Sequence, residues 1–476
     1  MKKIKQVPKG VDHTSTDYQG RLFHFFYRHV IDCPARQYIN CNSITFTYLE
    51  SYSVVSGIIE RMNGRKNALK TVALNFRDQQ KLLFSFWACA ALEVDIVLVP
   101  EMQLEDRSLP GGEPVWQADL ILSDFMEGPG CLDVEIVKGN PTIPYENSRR
   151  HSAEHRDIYF FSSGTTGRSK FIRTSYFQLV EAIDCVEKYD MMPYTQDQAV
   201  LLTVPLFHSY GLSAMIEYTN GRSHLFIPKL KDHISPLQSL FERQVASQIT
   251  AIEAVPFFYK QVITVWERLS LPGLSHIGVG GDQVAPDLLH ALDGKTGKLS
   301  FSIRYGVTEI PSVIGINYFT AAEDPCIRSL GKILPIYRPV LLNAISSEHS
   351  TQGELAVECE LYPGQKDLVQ THDTVQYKNG AYIFIGRDIF IKYRGYKINP
   401  AEVENELNKH PHIQDCRVHL ANDVLTADIV LPDEIQLIPG DIRGFLSTRL
   451  NAYLIPSRFI RVNTIARTRT GKIIRA

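Results

Sequence analysis

The sequence predicts an α/β protein with a large first domain and a small α+β domain at its C-terminal end. Three patterns predict it. Short apolar runs alternate with stretches of helical spacing from Tyr48 to Val255, as in a sheet with helices packed on its faces. From about Gly331 to Phe384, short strands are set between Gly, Pro and Asn turns, which reads as a small β subdomain. Beyond that, helix and strand patterns return in a final α+β stretch. The 476 residues give room for a large core, and 44% hydrophobic with 21% charged residues is an ordinary globular mix.

Taken in order, the start MKKIKQVPKG is basic but leads into no apolar stretch, so no secretory signal is expected. Tyr48–Met62 has helical spacing, Thr71–Asn75 reads as a strand, Gln79–Leu92 as an apolar helix and Ile96–Val99 as a buried strand. The apolar run from Leu82 to Leu92 is too short to span a bilayer, and a cytoplasmic protein without a transmembrane segment is expected. Ala199–Thr203 and Ile249–Val255 read as strands. Ser235–Gln244 between them reads as one helix, capped by Ser235 with Pro236 at its first position. Glu354–Cys359 and Ala381–Phe384 are strands of the β subdomain. Asn399, Pro400 and Glu402 then form a helix start with a capping-box acid, running to about Lys409 before Pro411. Cys416–His419 and Ala427–Leu431 read as strands and Gly440–Leu450 as a helix. These divide the chain into residues 1–386 and 387–476, with a hinge near Gly386–Ile391.

Composition excludes several function classes. A net charge of −2 gives no field for gripping nucleic acid or an anionic membrane. The 8 cysteines form no C-x-x-C and have no His at zinc-like spacing, so they read as scattered thiols. His410 and His412, flanking Pro411, read as a solvated helix end rather than a metal pair.

Chemistry concentrates in a few motifs. In Tyr159-Phe-Phe-Ser-Ser-Gly-Thr-Thr-Gly-Arg-Ser-Lys170, a hydrophobic strand enters a loop of hydroxyls, glycines and a lysine. Such a loop can turn backbone N–H groups, hydroxyl donors and a cation toward phosphate, although alone it is equally a polar turn, and it is not a Walker loop. Further on stand Arg304-Tyr-Gly-Val-Thr-Glu309, Thr371-His-Asp373, Gly386-Arg-Asp388, Ile391-Lys-Tyr-Arg-Gly-Tyr-Lys-Ile-Asn-Pro400 and Arg467-Thr-Arg-Thr-Gly-Lys-Ile473. Read singly, Asp373 is a turn aspartate, Glu309 a surface acid and Lys472 a tail charge.

In this order and spacing the set resembles the adenylate-forming enzyme superfamily: acyl-CoA synthetases, stand-alone adenylation domains and beetle-luciferase-like ligases. The matched motifs run from residue 159 to 475, and Thr47-Tyr48 extends the likeness weakly toward the N-terminus. The resemblance implies two α/β sheet subdomains and a small distorted β-barrel (about 331–386) in the large domain, followed by a small mobile domain. It implies that Ser162, Ser163, Gly164, Thr165, Thr166, Gly167 and Lys170 hold the β- and γ-phosphates of ATP. Tyr305 would stack on adenine, Thr308 would contact the α-phosphate and Glu309 would hold Mg²⁺. Asp373, helped by Arg387, would accept the ribose hydroxyls. Lys472 would reach in from the small domain to bridge the substrate carboxylate and the α-phosphate, and Gly395 would line a thiol channel after domain rotation. The chemistry agrees: joining a carboxylate to an α-phosphate brings two anions together and needs cations and donors aimed at the developing charge.

For the substrate, Val204-Pro-Leu-Phe-His-Ser-Tyr-Gly-Leu212 places His208 where amino-acid-activating relatives have the Asp that pairs the substrate ammonium. A fatty or aryl acid is therefore expected before an α-amino acid, with His208, Gly280 and Gly281 at its pocket. Asp282 could face the acid, the adenine or only solvent. Taken alone, His208 reads as a packed core histidine before a residue with a direct chemical role. The expected reaction is ATP-dependent formation of an acyl-AMP, then transfer to the thiol of CoA or to the phosphopantetheine of a separate carrier protein. The alternatives are a luciferase-like oxygenase and a non-catalytic nucleotide-binding homologue. The basic cluster Arg458, Arg461, Arg467, Arg469, Lys472 and Arg475 could dock a carrier protein or CoA phosphates, or be a solvated face. Three departures from the family pattern stand out. Ser169 and Phe171 flank Lys170 where Pro and Gly are usual. His372 stands where Gly precedes the aspartate. The stretch from Arg387 to Lys392 is one residue short at the expected hinge.

Overall fold

The computed structural model describes residues 21–41, 44–64, 69–100, 117–126, 130–136, 155–162, 170–228, 235–296, 299–320, 327–346, 349–387, 391–393, 396–398, 400–422, 424–436, 438–450, 452–467 and 473. Two mixed sheets form the large domain. In the nine-stranded sheet the strands Ser300–Val307, His276–Gly280, Ala251–Ala254, Ala199–Leu202, His224–Phe226 and Gln37–Cys41 run parallel, with antiparallel strands at both edges. The six-stranded sheet holds Cys131–Asp133, Leu120–Ser123, Thr71–Asn75, Asp95–Leu98 and Asp157–Ser162 in parallel, and ends in the antiparallel Lys170–Ser175. This is the two-sheet α/β architecture the sequence implied.

Helices join the two sheets. Gln79–Leu92 is buried nearly all round, including Trp87, which is why it is apolar on every face. Its ends are local: the Asp78 side chain accepts from the Gln80 N–H, and Glu93 closes the helix in the left-handed region at φ 52°. Tyr48–Asn63 begins with a complete capping box between Thr47 and Glu50.

One expectation is corrected. Ser235–Gln244 is not one helix but two short ones, Ser235–Ser239 and Arg243–Ala246. The chain tightens between them, with N–H groups at Leu240, Phe241 and Glu242 bonded three residues back, and this drives Leu240 into the core while Phe241 stays exposed. Where the resemblance implies a distorted β-barrel, the described residues form a four-stranded antiparallel sheet: Arg338–Ser346, Thr351–Tyr362, Gln365–Lys378 and Ala381–Arg387. The Ala381–Arg387 edge makes further backbone bonds. Leu330 N–H donates to Tyr382 O, Phe384 N–H donates to Arg328 O, and Ser329 bridges Ile383.

A separate core that includes Tyr393, Ile398, Val403, Cys416, Ile429 and Phe459 builds the C-terminal α+β unit. Pro400–Leu407 and Pro439–Ser447 are its helices, and Asp415–Ala421, Val424–Val430 and Arg458–Arg461 form its sheet. Among the described residues no helix is long and apolar enough to cross a membrane. Of the expected hinge near Gly386–Ile391, residues 388–390 lie outside the described residues.

Candidate active site

The strand Ser300–Val307 and the turn after it deliver most of the described site. Successive residues face opposite sides of a strand, so Arg304 goes inward while Tyr305 goes to the other face. The Tyr305 hydroxyl donates to Asp373 Oδ2 at 2.8 Å, across 68 residues of sequence. Asp373 is buried, and its Cα partner on the neighbouring strand is Arg387. Three residues expected to hold a nucleoside are therefore brought together.

A β-bulge aims Asp373. Leu355 pairs with Asp373 while the adjacent Ala356 pairs with Gln370, leaving Thr371 and His372 as the extra residues. Thr371 turns inward: its hydroxyl donates to Leu355 O at 2.7 Å and accepts from the Asp373 N–H at 3.2 Å. His372 turns outward at φ 59°, with Nδ1 3.2 Å from Glu354 Oε1. The missing glycine of the family pattern thus belongs to a left-handed position. His372→Gly is expected to raise stability by up to about 1 kcal/mol, because the backbone strain outweighs an exposed hydrogen bond and the entropy of glycine. A lower urea midpoint for that variant would contradict this.

Thr308 and Glu309 form the half-buried turn between Ser300–Val307 and Ile310–Phe319. The Thr308 hydroxyl lies 3.5 Å from Ser209 Oγ at the first turn of the helix Ser209–Asn220. Ser213 Oγ accepts from the Ser312 N–H at 3.0 Å, which stitches the helix to the same turn. His208 holds the cap position of that helix without a side-chain cap bond, its ring 4.7 Å from that of Phe207. Gly280 ends its strand and Gly281 follows at φ 78°. Asp282 is exposed and accepts from the Gln283 N–H at 2.8 Å.

Ser162 and Lys170 are Cα partners at the mouth of an antiparallel hairpin. Ser163, Gly164, Thr165, Thr166 and Gly167 in its loop lie outside the described residues, as do Gly395 and Lys472. Phe171, one of the departures, stacks on Tyr159 at 4.9 Å and 9°. In the C-terminal basic cluster, Arg467 forks onto Asp415 and lies 4.9 Å from the Phe257 ring, and Arg461 donates to two backbone carbonyls. Those two are committed within the fold.

Among the described residues no three His, Cys, Asp or Glu side chains group as a metal cage. A lone half-buried Glu309 beside a hydroxyl fits Mg²⁺, which keeps waters and phosphate oxygens and takes one or two carboxylates.

Sequence reading missed what supports this site. Arg304 is buried between two buried carboxylates: Nη1 donates to Glu253 Oε1 at 3.2 Å and Nη2 donates to Glu217. Glu217 also accepts from Ser312 Oγ at 2.6 Å, and Glu253 accepts from the Tyr210 and Tyr218 hydroxyls at 2.8 and 3.0 Å. Burial pushes the Glu217 carboxyl up, with the Arg304 charge opposing it. An acid in the apolar strand Ala251–Ala254 was the available signal.

Comparison with known proteins identifies the family. The AMP-binding enzyme family matches residues 92–359, and the AMP-binding enzyme C-terminal domain matches residues 402–472. Luciferin 4-monooxygenase of Photuris pensylvanica is 25% identical over 397 residues, 75% of this chain and 70% of that protein. The mitochondrial malonate–CoA ligase of Bos taurus is 26% identical over 376 residues, 66% of this chain and 62% of that protein. The structure of the O-succinylbenzoate Coenzyme A synthetase of Bacillus subtilis, in complex with ATP and magnesium, superposes with a TM-score of 0.74 at 21% identity, covering 95% of this chain and 98% of that one. With both parts of the family matched in order along the chain, the protein belongs to the AMP-binding enzymes.

Proposed function

We propose that the protein is an acid–thiol ligase. It joins a carboxylic acid to the α-phosphate of ATP, releasing pyrophosphate, and then passes the acyl group to the thiol of CoA, releasing AMP. The observation that carries this reading is the Tyr305–Asp373 hydrogen bond beside the Thr308–Glu309 turn. One bond fixes the plane of a ring suited to adenine and the position of a carboxylate suited to ribose hydroxyls. The α-phosphate then falls toward Thr308 and Ser209, at the first turn of a helix whose N–H groups favour an anion. Glu309 would hold Mg²⁺, which offsets phosphate charge when bound. Positioning of this kind, with little covalent work by the protein, is what adenylation needs. Malonate–CoA ligase and O-succinylbenzoate Coenzyme A synthetase among the similar proteins support CoA as the acceptor; a separate carrier protein remains the finer form of the same reading.

ATP–pyrophosphate exchange across fatty, aryl and amino acids tests it. Exchange with at least one acid is expected. Lys472→Ala is expected to lower that exchange by at least about 100-fold, the scale of one lost charge-stabilising donor, with ATP binding retained. Exchange at the wild-type rate in that variant would remove Lys472 from the reaction. A second reading, O₂-dependent oxidation of an acyl-adenylate, is favoured only by the similarity to luciferin 4-monooxygenase. O₂ uptake dependent on ATP and an activated acid would select it.

A further inference from the structure

We infer that Arg467 is a positioning residue for the adenylation step: held by Asp415 in the C-terminal unit, it seats on the Phe257 ring of the large domain and fixes the base of the stretch that carries Lys472. This rests on the adenylation reading and deepens it, by assigning what places the lysine.

The Arg467 guanidinium has a partner in each domain. Within the C-terminal unit its Nη2 donates to Asp415 Oδ1 and Oδ2 at 2.7 Å each, and its Nε donates to Oδ2 at 3.2 Å. The two side chains are 12% and 20% exposed, so water screens the pair only in part. A planar fork on a carboxylate fixes orientation as well as position. Held in this way, Arg467 Cζ lies 4.9 Å from the centroid of the half-buried Phe257 ring, within cation–π range. Phe257 is the second residue of the helix Pro256–Val265 in the large domain. Two further contacts follow the same boundary. Asn405 Nδ2 donates to Gln283 Oε1 at 3.4 Å. Burial raises the Cys416 thiol, and the charge of Lys260, one helical turn from Phe257, opposes that rise.

The Phe257 helix starts at the site edge of the nine-stranded sheet. It begins two residues after Ala254, and Ala251–Ala254 runs parallel to His276–Gly280, which runs parallel to Ser300–Val307. The three strands therefore end on one edge, and the Thr308–Glu309 turn stands two strands, about 10 Å, from Ala254. Arg467 also forms an antiparallel bridge with Ile473. Residues 468–472 lie between these two in the sequence, and Lys472 directly precedes Ile473. Holding Arg467 thus holds both ends of that stretch. Asp415 neutralises the guanidinium, which suits Arg467 to placing another cation rather than to binding phosphate itself. Bringing an ammonium to a developing charge depends on ångström-scale placement. A single ring contact is also weak enough to break when the domains part.

The test is ATP–pyrophosphate exchange by the full chain, with the acid that wild type exchanges fastest among fatty, aryl and amino acids. Arg467→Met and Phe257→Leu are each expected to lower kcat by at least about tenfold, with KM for ATP and acid within about twofold. Phe257→Tyr keeps the ring and is expected to stay within about threefold of wild type. In a Lys472→Ala chain no lysine remains to be placed, so adding Arg467→Met is expected to cost less than about twofold more. Thioester formation from supplied acyl-AMP and CoA is expected to hold within about threefold in Arg467→Met. Should Arg467→Met fail to fold, Phe257→Leu in the other domain decides, alone and combined with Lys472→Ala. An unchanged kcat in either variant while wild type exchanges overturns the inference and leaves adenylation standing. So does an equal loss with and without Lys472, an equal loss in both half-reactions, or a raised KM for ATP as the main effect. No exchange by wild type with any acid, with ATP still bound, overturns the adenylation reading and this inference with it.

Discussion

Replacing Arg304 with methionine is expected to lower the unfolding free energy of the large domain by about 3–5 kcal/mol, read as a lower urea midpoint at an unchanged slope. The guanidinium is 2% exposed and its two partners, Glu217 and Glu253, are 1% and 0% exposed. Removing it leaves two carboxylates within the same buried cluster with no cation between them. Burial already raises the Glu217 carboxyl, and losing the opposing Arg304 charge raises it further. A folded-state carboxyl pKa above the unfolded one stabilises at low pH, and that contribution fades as pH rises through the folded value. The deficit of Arg304→Met is therefore expected to be larger at pH 8 than at pH 5. Adding Glu217→Gln and Glu253→Gln to the same chain is expected to recover most of the loss, because no uncompensated charge then remains. This contrast separates the worth of the triad, which is small, from the damage of breaking it. Arg304 Nε already lacks a hydrogen-bond partner among the described residues, consistent with a triad kept for shape rather than for net stability. A loss under about 1 kcal/mol in the single variant would show that the carboxylates find other partners.

The same triad shows where sequence reading stops. Gln79–Leu92 was legible to the residue because its signals are local: Asp78 caps one end, and apolar residues all round reveal a buried helix. The bulge at His372 was legible as a condition, since a glycine missing from a family pattern points to a left-handed φ, and φ 59° is what the chain adopts. Tyr305 and Asp373 are 68 residues apart, and only the ordered motifs suggested that they meet. Nothing of that kind ties Arg304 to Glu253 and Glu217, which are 51 and 87 residues away. The order of strands in the nine-stranded sheet places Ala251–Ala254 two positions from Ser300–Val307, with the side-chain-free Gly278 between them. That juxtaposition belongs to topology, not to any local pattern. The helix predicted over Ser235–Gln244 failed for a related reason: burying Leu240 decides the break, and helical spacing does not report it. The backbone bonds that residues 328–330 make along Ala381–Arg387 are likewise a tertiary fact.

Acidification from pH 7 to pH 5 is expected to remove about 5 kcal/mol of stability, from three histidines buried in the neutral form. Burial lowers His29 and His224 to about 4 and His276 to about 3, from an ordinary value of 6.5. A base whose folded pKa is depressed binds its proton mainly in the unfolded chain. Its contribution is whole above 6.5 and is lost as pH falls toward the folded value, at up to about 1.4 kcal/mol per pH unit for each histidine. The neighbours explain the size of each effect. His29 faces Arg28 and Arg222, which oppose a second cation, with Glu187 in partial compensation, and its Nε2 lies 3.0 Å from Asn220 O. His224 is shifted by burial alone. His276 stacks on Tyr194 and is clamped between Ser300 Oγ at 2.8 Å and Ser302 Oγ at 3.0 Å, with Arg304 as the nearby cation. Ser300 Oγ already donates to Ser275 O, so it accepts from His276 Nδ1–H, which leaves Nε2 to accept from Ser302. Protonation would force Ser302 to turn away. Burial also raises Asp95, Asp157 and Glu217, and those shifts favour the folded state at low pH, so they trim the loss without reversing it. Urea unfolding at pH 7, 6 and 5 measures the slope, and His276→Gln, which keeps a partner for both serines, is expected to reduce it by about a third. A stability flat between pH 7 and pH 5 would mean that these histidines titrate alike in the folded and unfolded chains. A slope unchanged in His276→Gln would confine the effect to His29 and His224, away from the strand that ends at Gly280.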